Sequence, residues 1–283
     1  MASLQEHCPF TNLWDTLMEK EFGPPPLKDP TNPFVKLIGD RMKYVLAGYG
    51  GTCITLAALT CSLLNALGYQ SQLSLTITHN KPGMEMMHAI VIVTNVSSNG
   101  DAFMLDPGSR ISPIFQAVPL REVDKHGNLF LGRSAFCDNK VVKVGDLYQR
   151  YFRTYDSSYE LPSDWQMFYD FDGKPLEIYN EIERTIDYTP YFRLSRYTFE
   201  LNHLKKINKF WSSSFTLVGF PRGIAVRFLN KKLFIYERNG IKKIEFKNRN
   251  DQIQALTFYF PQLPHGKILQ FFHSFWPINE SKL

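Results

Sequence analysis

Three side chains in this chain could perform covalent chemistry together: Cys53, His88 and Asp106. Cys53 closes the run Gly48-Tyr49-Gly50-Gly51-Thr52-Cys53 and opens the apolar stretch Ile54 to Leu67. A cysteine at the start of a helix meets unpaired backbone amides and the positive end of the helix dipole. Its thiolate is favoured there, which makes it a better nucleophile. His88 opens a β-rich run, Met87 to Val93, and Asp106 closes another, Asp101 to Asp106. Nucleophile, base and a carboxylate that orients the base make up the triad logic of covalent catalysis. Taken singly, each has a plainer reading. Most free cysteines are small core residues, a lone strand histidine is structural, and aspartate before Pro107-Gly108 is a turn former. The joint pattern points to catalysis.

Two elements must position these groups. Ile54, Leu56, Ala57, Leu59, Cys61, Leu63, Leu64 and Leu67 occupy nearly every angle of a helical wheel, which predicts a core helix buried on all sides. Gly68 is its stop signal. The turn formers Asn95 to Gly100 lie between the two β-rich runs and predict an antiparallel hairpin. With the turn centred on Ser97, His88 lies directly across from Asp106, where Cβ atoms are ~5 Å apart. Gly48, Gly50 and Gly51 lack the Lys-Ser or Lys-Thr of a phosphate-binding loop. They read as room for a substrate to approach the Cys53 backbone.

The order Gly-Gly-Thr-Cys53, then His88-Ala-Ile-Val, then Leu105-Asp106-Pro107-Gly108 resembles the arylamine N-acetyltransferase family, part of a wider papain-like Cys-His-Asp superfamily. The likeness extends to Trp165–Phe171, Ile182-Glu183 and Pro190-Tyr191-Phe192. It implies an α+β fold with an N-terminal helical lobe, a central antiparallel barrel-like β domain and a C-terminal α/β lid. It also implies a triad of Cys53, His88 and Asp106, with Gly50, Gly51, Thr52 and Gly108 lining the oxyanion and substrate approach. The departures are specific. The family's arginine before the glycines is Tyr49 here, its glutamate two after the cysteine is Thr55, and its asparagine four after is Ala57. The same core motif is also similar to transglutaminase-like cysteine enzymes, which share His-Ala and Leu-Asp-Pro.

Composition sets the frame. With 283 residues and 44% hydrophobic residues, the chain is long and apolar enough for a globular fold of one to three domains. No run of ~18 apolar residues predicts a membrane span. The first residues lack the basic and apolar regions of a secretory signal. Cys8, Cys53, Cys61 and Cys137 form no metal-binding or redox spacing and fit free thiols in a reducing compartment, so a cytoplasmic location is expected. Ser281-Lys282-Leu283 would read as a peroxisomal address if the terminus is free and the source eukaryotic. No metal is expected. Residues 1–199 carry 18 Lys and Arg against 22 Asp and Glu, whereas residues 200–283 carry 14 against 5. A basic C-terminal part suits a polyanion such as coenzyme A or an acidic carrier protein. Its lysines are too scattered for a nucleic-acid motif.

Along the chain, residues 1–50 read as helices and loops, with a short helix at Thr11–Met18 and another ending near Tyr44. Leu73, Leu75 and Ile77 alternate as a strand, His79 falls in a loop, and strands follow at Lys140–Val144 and Gln166–Phe171. A helix is expected at Pro175–Arg184. Strands at Ile224–Leu229, Leu233–Arg238 and Ile241–Phe246 follow, the last two joined by Asn239-Gly240. Helices at Asp251–Tyr259 and Lys267–Phe275 end the pattern. The expected division is 1–68 helical lobe, 69–174 β domain, 175–200 interdomain helical segment and 201–283 lid.

The function implied is transfer of an acetyl or other acyl group from acetyl-CoA, or another acyl thioester, to a small arylamine-type amine through a Cys53 thioester. The alternatives are an amide synthase fed by an acyl carrier protein, a transglutaminase-like hydrolase, deamidase or peptidase, and a non-catalytic binding module.

Overall fold

The apolar run that follows Cys53 folds as helix α1 (Cys53–Ala66). The computed structural model describes residues 8–14, 41–79, 85–108, 117–133, 137–144, 147–154, 184–188, 215–221, 224–237 and 240–275. Cys53 to Thr60 are all buried, as the wheel requires. The second half of α1 emerges, leaving Leu63 46% and Leu67 74% exposed, so the helix is a core element only through its first two turns. Gly68 terminates it as expected, at φ +89°. The Gly68 amide bonds the Asn65 carbonyl and the Tyr69 amide bonds that of Leu64, a Schellman motif.

Strands β2 (Gln70–His79), β3 (Glu85–Thr94), β4 (Ala102–Leu105), β5 (Val118–Pro119), β6 (Asn128–Arg133), β7 (Cys137–Val144), β8 (Leu147–Thr154) and β9 (Arg184–Tyr188) form an antiparallel sheet. Its order is β5-β4-β3-β2-β9-β8-β7-β6. The uninterrupted apolar run of β3 reflects burial on both faces. Ala89, Val91 and Val93 pack with α1. Ile90 and Ile92 share a cluster instead with Met104 and Val118 of the neighbouring strands β4 and β5 and with Val141 and Tyr148 of β7 and β8, which are distant in the sheet order. The sheet therefore curls, with that second face on its concave side. Among the described residues it is not closed into a barrel. Helix α2 (Leu120–His126) contacts β4, β6 and β7 instead, and Leu120 and Val123 plug the interior.

Two expectations need correction here. Arg184–Tyr188 is a strand between β2 and β8, not part of an interdomain helix. His79 ends β2 instead of lying in a loop. The strand at 166–171 and the helix at 175–183 fall outside the described residues.

The second sheet has the order β1-β10-β11-β12-β13, all antiparallel. Its strands are β1 (Phe10–Thr11), β10 (Thr216–Gly219), β11 (Ala225–Leu229), β12 (Lys232–Glu237) and β13 (Gly240–Glu245). Helices α3 (Arg249–Tyr259) and α4 (His265–Phe275) follow it in the chain. They bury Leu256, Phe260, Ile268, Phe271 and Phe272 against Phe215, Val226, Phe228 and Ile235 of that sheet region. Asn248 caps α3, its side chain accepting from the Asp251 amide at 2.9 Å. Gly240 already pairs with Glu237, so β13 begins one residue earlier than the strand expected from Ile241.

The described part of the N-terminal segment is tied to the C-terminal sheet. Phe10 and Thr11 pair with Val218 and Leu217 at the edge of the C-terminal sheet. Leu13 and Trp14 join the same buried cluster as α3 and α4. Residues 41–46 are helical, in line with the helix expected to end near Tyr44; 15–40 lie outside the described residues. No helix among the described residues is long and apolar enough to cross a membrane.

Candidate active site

The hairpin of β3 and β4 presents His88 and Asp106, and its register corrects the expected one. Val91 pairs with Leu105, so the turn centres on Ser98. His88 and Asp106 are therefore diagonal, not directly opposite. A shift of two positions preserves the face, because strand side chains alternate. His88 shares the parity of Ile90 and Ile92, and Asp106 that of Met104, so both belong to the concave side. The tip is fixed by Asp101, whose carboxylate accepts the amides of Val96, Ser97 and Ser98 at 2.8 Å each. Asn95 takes the left-handed conformation there, at φ +57°.

His88 Nε2 donates to Asp106 Oδ1 at 2.9 Å, with Asp106 fully buried and the His88 side chain 11% exposed. The imidazole is also hydrogen-bonded to Cys53, which begins α1. Burial pushes the His88 pKa down, but the Asp106 carboxylate, the Cys53 sulfur and the hydrogen bonds to both outweigh it and raise the value to about 10. Burial also acts on Asp106. The charges of His88 and Arg150, the His88 hydrogen bond and the Gly108 amide overcome it and hold the carboxyl below its ordinary value. Cys53, His88 and Asp106 thus stand in series, sulfur to imidazole to carboxylate. Such a chain can hold a thiolate beside an imidazolium and move a proton between them.

Of the other residues singled out, Gly108 lies against Cys53. A Cβ built on it would stand 2.4 Å from the Cys53 Cα, so only glycine permits this approach. Thr52 is buried and precedes α1 as its N-cap without a side-chain cap bond. At Gly50 and Gly51 the chain itself occupies the space that a side chain would take. A Cβ on Gly50 would stand 2.0 Å from the Pro9 carbonyl oxygen, and one on Gly51 would stand 2.9 Å from Val45. Their small size admits the chain's own N-terminal strand. The Gly51 amide donates to the Pro9 carbonyl, and the Thr11 amide donates to the Gly51 carbonyl. Tyr49, at the position of the family arginine, sits 5.7 Å from Trp14, whose indole donates to the Tyr49 carbonyl at 2.9 Å. Trp14 also stacks on Tyr44. Tyr49 thus belongs to an aromatic cluster with Trp14 and Tyr44.

Arg150 escaped the sequence reading. It lies on β8, is fully buried, and its Nη1 donates to Asp106 Oδ2. In sheet order β8 is three strands from β3, so the contact crosses the concave side and leaves no trace in local spacing. The available signal was Arg150 two residues after Tyr148, a buried face of a strand. Among the described residues no group of three or more His, Cys, Asp or Glu is placed to hold a metal ion.

No family model matches the chain, and no curated protein matches it in sequence. Solved structures do match. The arylamine N-acetyltransferase of Mycobacterium marinum in complex with CoA aligns with a TM-score of 0.62 at 13% identity, covering 95% of this chain and 89% of that one. The Nocardia farcinica arylamine N-acetyltransferase aligns with a TM-score of 0.62 at 15% identity, covering 98% and 85%. The Bacillus cereus enzyme, which has a Cys-His-Glu catalytic triad, gives 0.52 at 12% identity, covering 90% and 85%. At such identities the likeness concerns the fold. Built of a nucleophile-bearing helix, a curled antiparallel sheet and a second sheet backed by two helices, the chain has the fold of the arylamine N-acetyltransferases.

Proposed function

We propose that the protein is an acyltransferase that passes an acetyl or other acyl group from an acyl-CoA thioester to an arylamine-type amine. Cys53 carries the acyl group between the two. The thiolate attacks the thioester carbonyl, and backbone amides at the head of α1 hold the oxyanion. The tetrahedral adduct collapses by breaking the bond to the CoA sulfur, which leaves with the proton of His88. In the second half the amine attacks the Cys53 thioester, His88 takes its proton, and the Cys53 thiolate is released. Asp106 holds the imidazole in the orientation both steps need. The carrying observation is the series of Cys53, His88 and Asp106 at the mouth of a helix N-terminus. The CoA-bound neighbour of the same fold supports the choice of donor.

The test is intact-protein mass spectrometry after incubation with acetyl-CoA. One acetyl increment is expected on the wild type and none on Cys53→Ala. An arylamine should then discharge it. If the adduct forms only with peptide or glutamine donors, the transglutaminase-like reading replaces this one. If it forms only with an acyl group on a carrier protein, the amide synthase does.

A further inference from the structure

Asp106 has a buried partner on each carboxylate oxygen: His88 on Oδ1 and Arg150 on Oδ2. Two contacts on different oxygens fix the carboxylate plane. The pair also fixes charge. Asp106 and Arg150 are fully buried, His88 is 8% exposed and Cys53 5%. In such a site an uncompensated charge is costly.

The proton balance shows what the guanidinium does. With Arg150 present, thiol, imidazolium, carboxylate and guanidinium sum to +1. Release of one proton gives thiolate, imidazolium, carboxylate and guanidinium, which sum to zero. Without Arg150 the same release runs from zero to −1 inside the protein. Desolvation opposes that step, so the reactive form appears only at higher pH. The acyl-enzyme behaves alike. There the sulfur is neutral, and His88 must shed its proton to accept one from the amine. With Arg150 the remaining carboxylate is matched; without it, a lone buried carboxylate would hold the proton on the imidazole.

Further titratable groups on the Arg150 side engage one another: Tyr148, two residues before Arg150, donates to Asp124, which also pairs with Lys143. His88 is acted on by Asp106 and Cys53, and Asp106 by His88 and Arg150. Cys8, in the same cluster as Cys53, is kept a thiol by burial, which raises its pKa. The adjacent strand β2 contributes buried, uncharged Ser74.

We propose that Arg150 is a positioning residue that fixes the Asp106 carboxylate and balances its charge through both half-reactions, and so lets His88 release its proton when a base is needed. The inference rests on the acyl-transfer reading in taking His88 as that base.

The test is the pH profile of Cys53 alkylation by iodoacetamide in the full chain. Arg150→Met should move the midpoint of the acid limb upward by about one pH unit or more, and Arg150→Lys should return it to the wild-type position. An unmoved midpoint with a slower rate would assign Arg150 to packing alone and overturn the proposal. A wild-type profile identical to that of His88→Gln would instead remove the acyl-transfer reading and this proposal with it. If Arg150→Met does not fold, the double variant Asp106→Asn/Arg150→Met should fold, because both buried charges are gone. A double variant that also fails to fold would overturn the proposal.

Discussion

Gly108 rests on the backbone of Cys53: a Cβ there would meet the Cys53 Cα at 2.4 Å and both its Cβ and carbonyl oxygen at 3.1 Å. The obstacle is mainly backbone, so no rotamer relieves it. Gly108→Ala should push the head of α1 away from His88. We expect a stability loss of at least the ~1–3 kcal/mol typical of overpacking, with a larger proportional loss of Cys53 alkylation rate. Urea denaturation and iodoacetamide labelling measure the two. An unchanged alkylation rate in a folded variant would contradict the contact.

His88 links stability to pH on the basic side. Its folded pKa is raised from 6.5 to about 10, so folding binds its proton more tightly than the unfolded chain does. The contribution is fully present below the unfolded value and fades as pH rises through the folded one. The stability difference between wild type and His88→Gln, from urea curves, should therefore be largest near pH 6.5 and decline towards pH 10. A difference constant over that range would show that the proton is not bound this way.

Asp106 acts in the opposite direction. Its folded pKa lies below the ordinary 3.8, so its contribution is present above that value and is lost as pH falls through the folded one. Asp106→Asn should also leave Arg150 buried without its carboxylate. Breaking a buried pair in this way costs about 3–5 kcal/mol. The variant should be destabilised near neutral pH and lose less than the wild type on acidification below pH 3.8. Equal acid sensitivity in the two proteins would count against it.

Gly50 and Gly68 share a left-handed backbone, at φ +84° and +89°, but not the same surroundings. Nothing lies within 4 Å of a Cβ on Gly68, whereas Pro9 blocks one on Gly50. Gly68→Ala should cost only the conformational term of about 1–2 kcal/mol. Gly50→Ala should cost clearly more, because Pro9 and the β1 edge must move as well. Thermal melts of the two variants decide this; equal shifts would rule out the Pro9 contact.

What the sequence revealed follows from range. The helix after Cys53, its glycine stop and the β3–β4 hairpin are local patterns, and each folds close to where it was read. The hairpin register slipped by one turn position, yet His88 and Asp106 kept a common face because the offset was even. The Arg150 contact was invisible because it spans the concave side of a curled sheet, and no periodicity encodes curvature. The neighbours of Gly50 and Gly51 are hidden from the sequence for a related reason. Glycine announces close approach without naming what approaches, and here it is Pro9 and Val45 of the same chain. Tyr49 likewise shows its neighbours, Trp14 and Tyr44, only after folding.

The β1 strand clasps the front of the molecule to its back. It pairs along one edge with β10 and touches Gly51, two residues before Cys53. The C-terminal sheet is thereby buckled to the nucleophile and does not hang over it as a detachable flap. Cutting away the first dozen residues would strip an edge from that sheet and, in the same stroke, unfasten the loop that aims the sulfur.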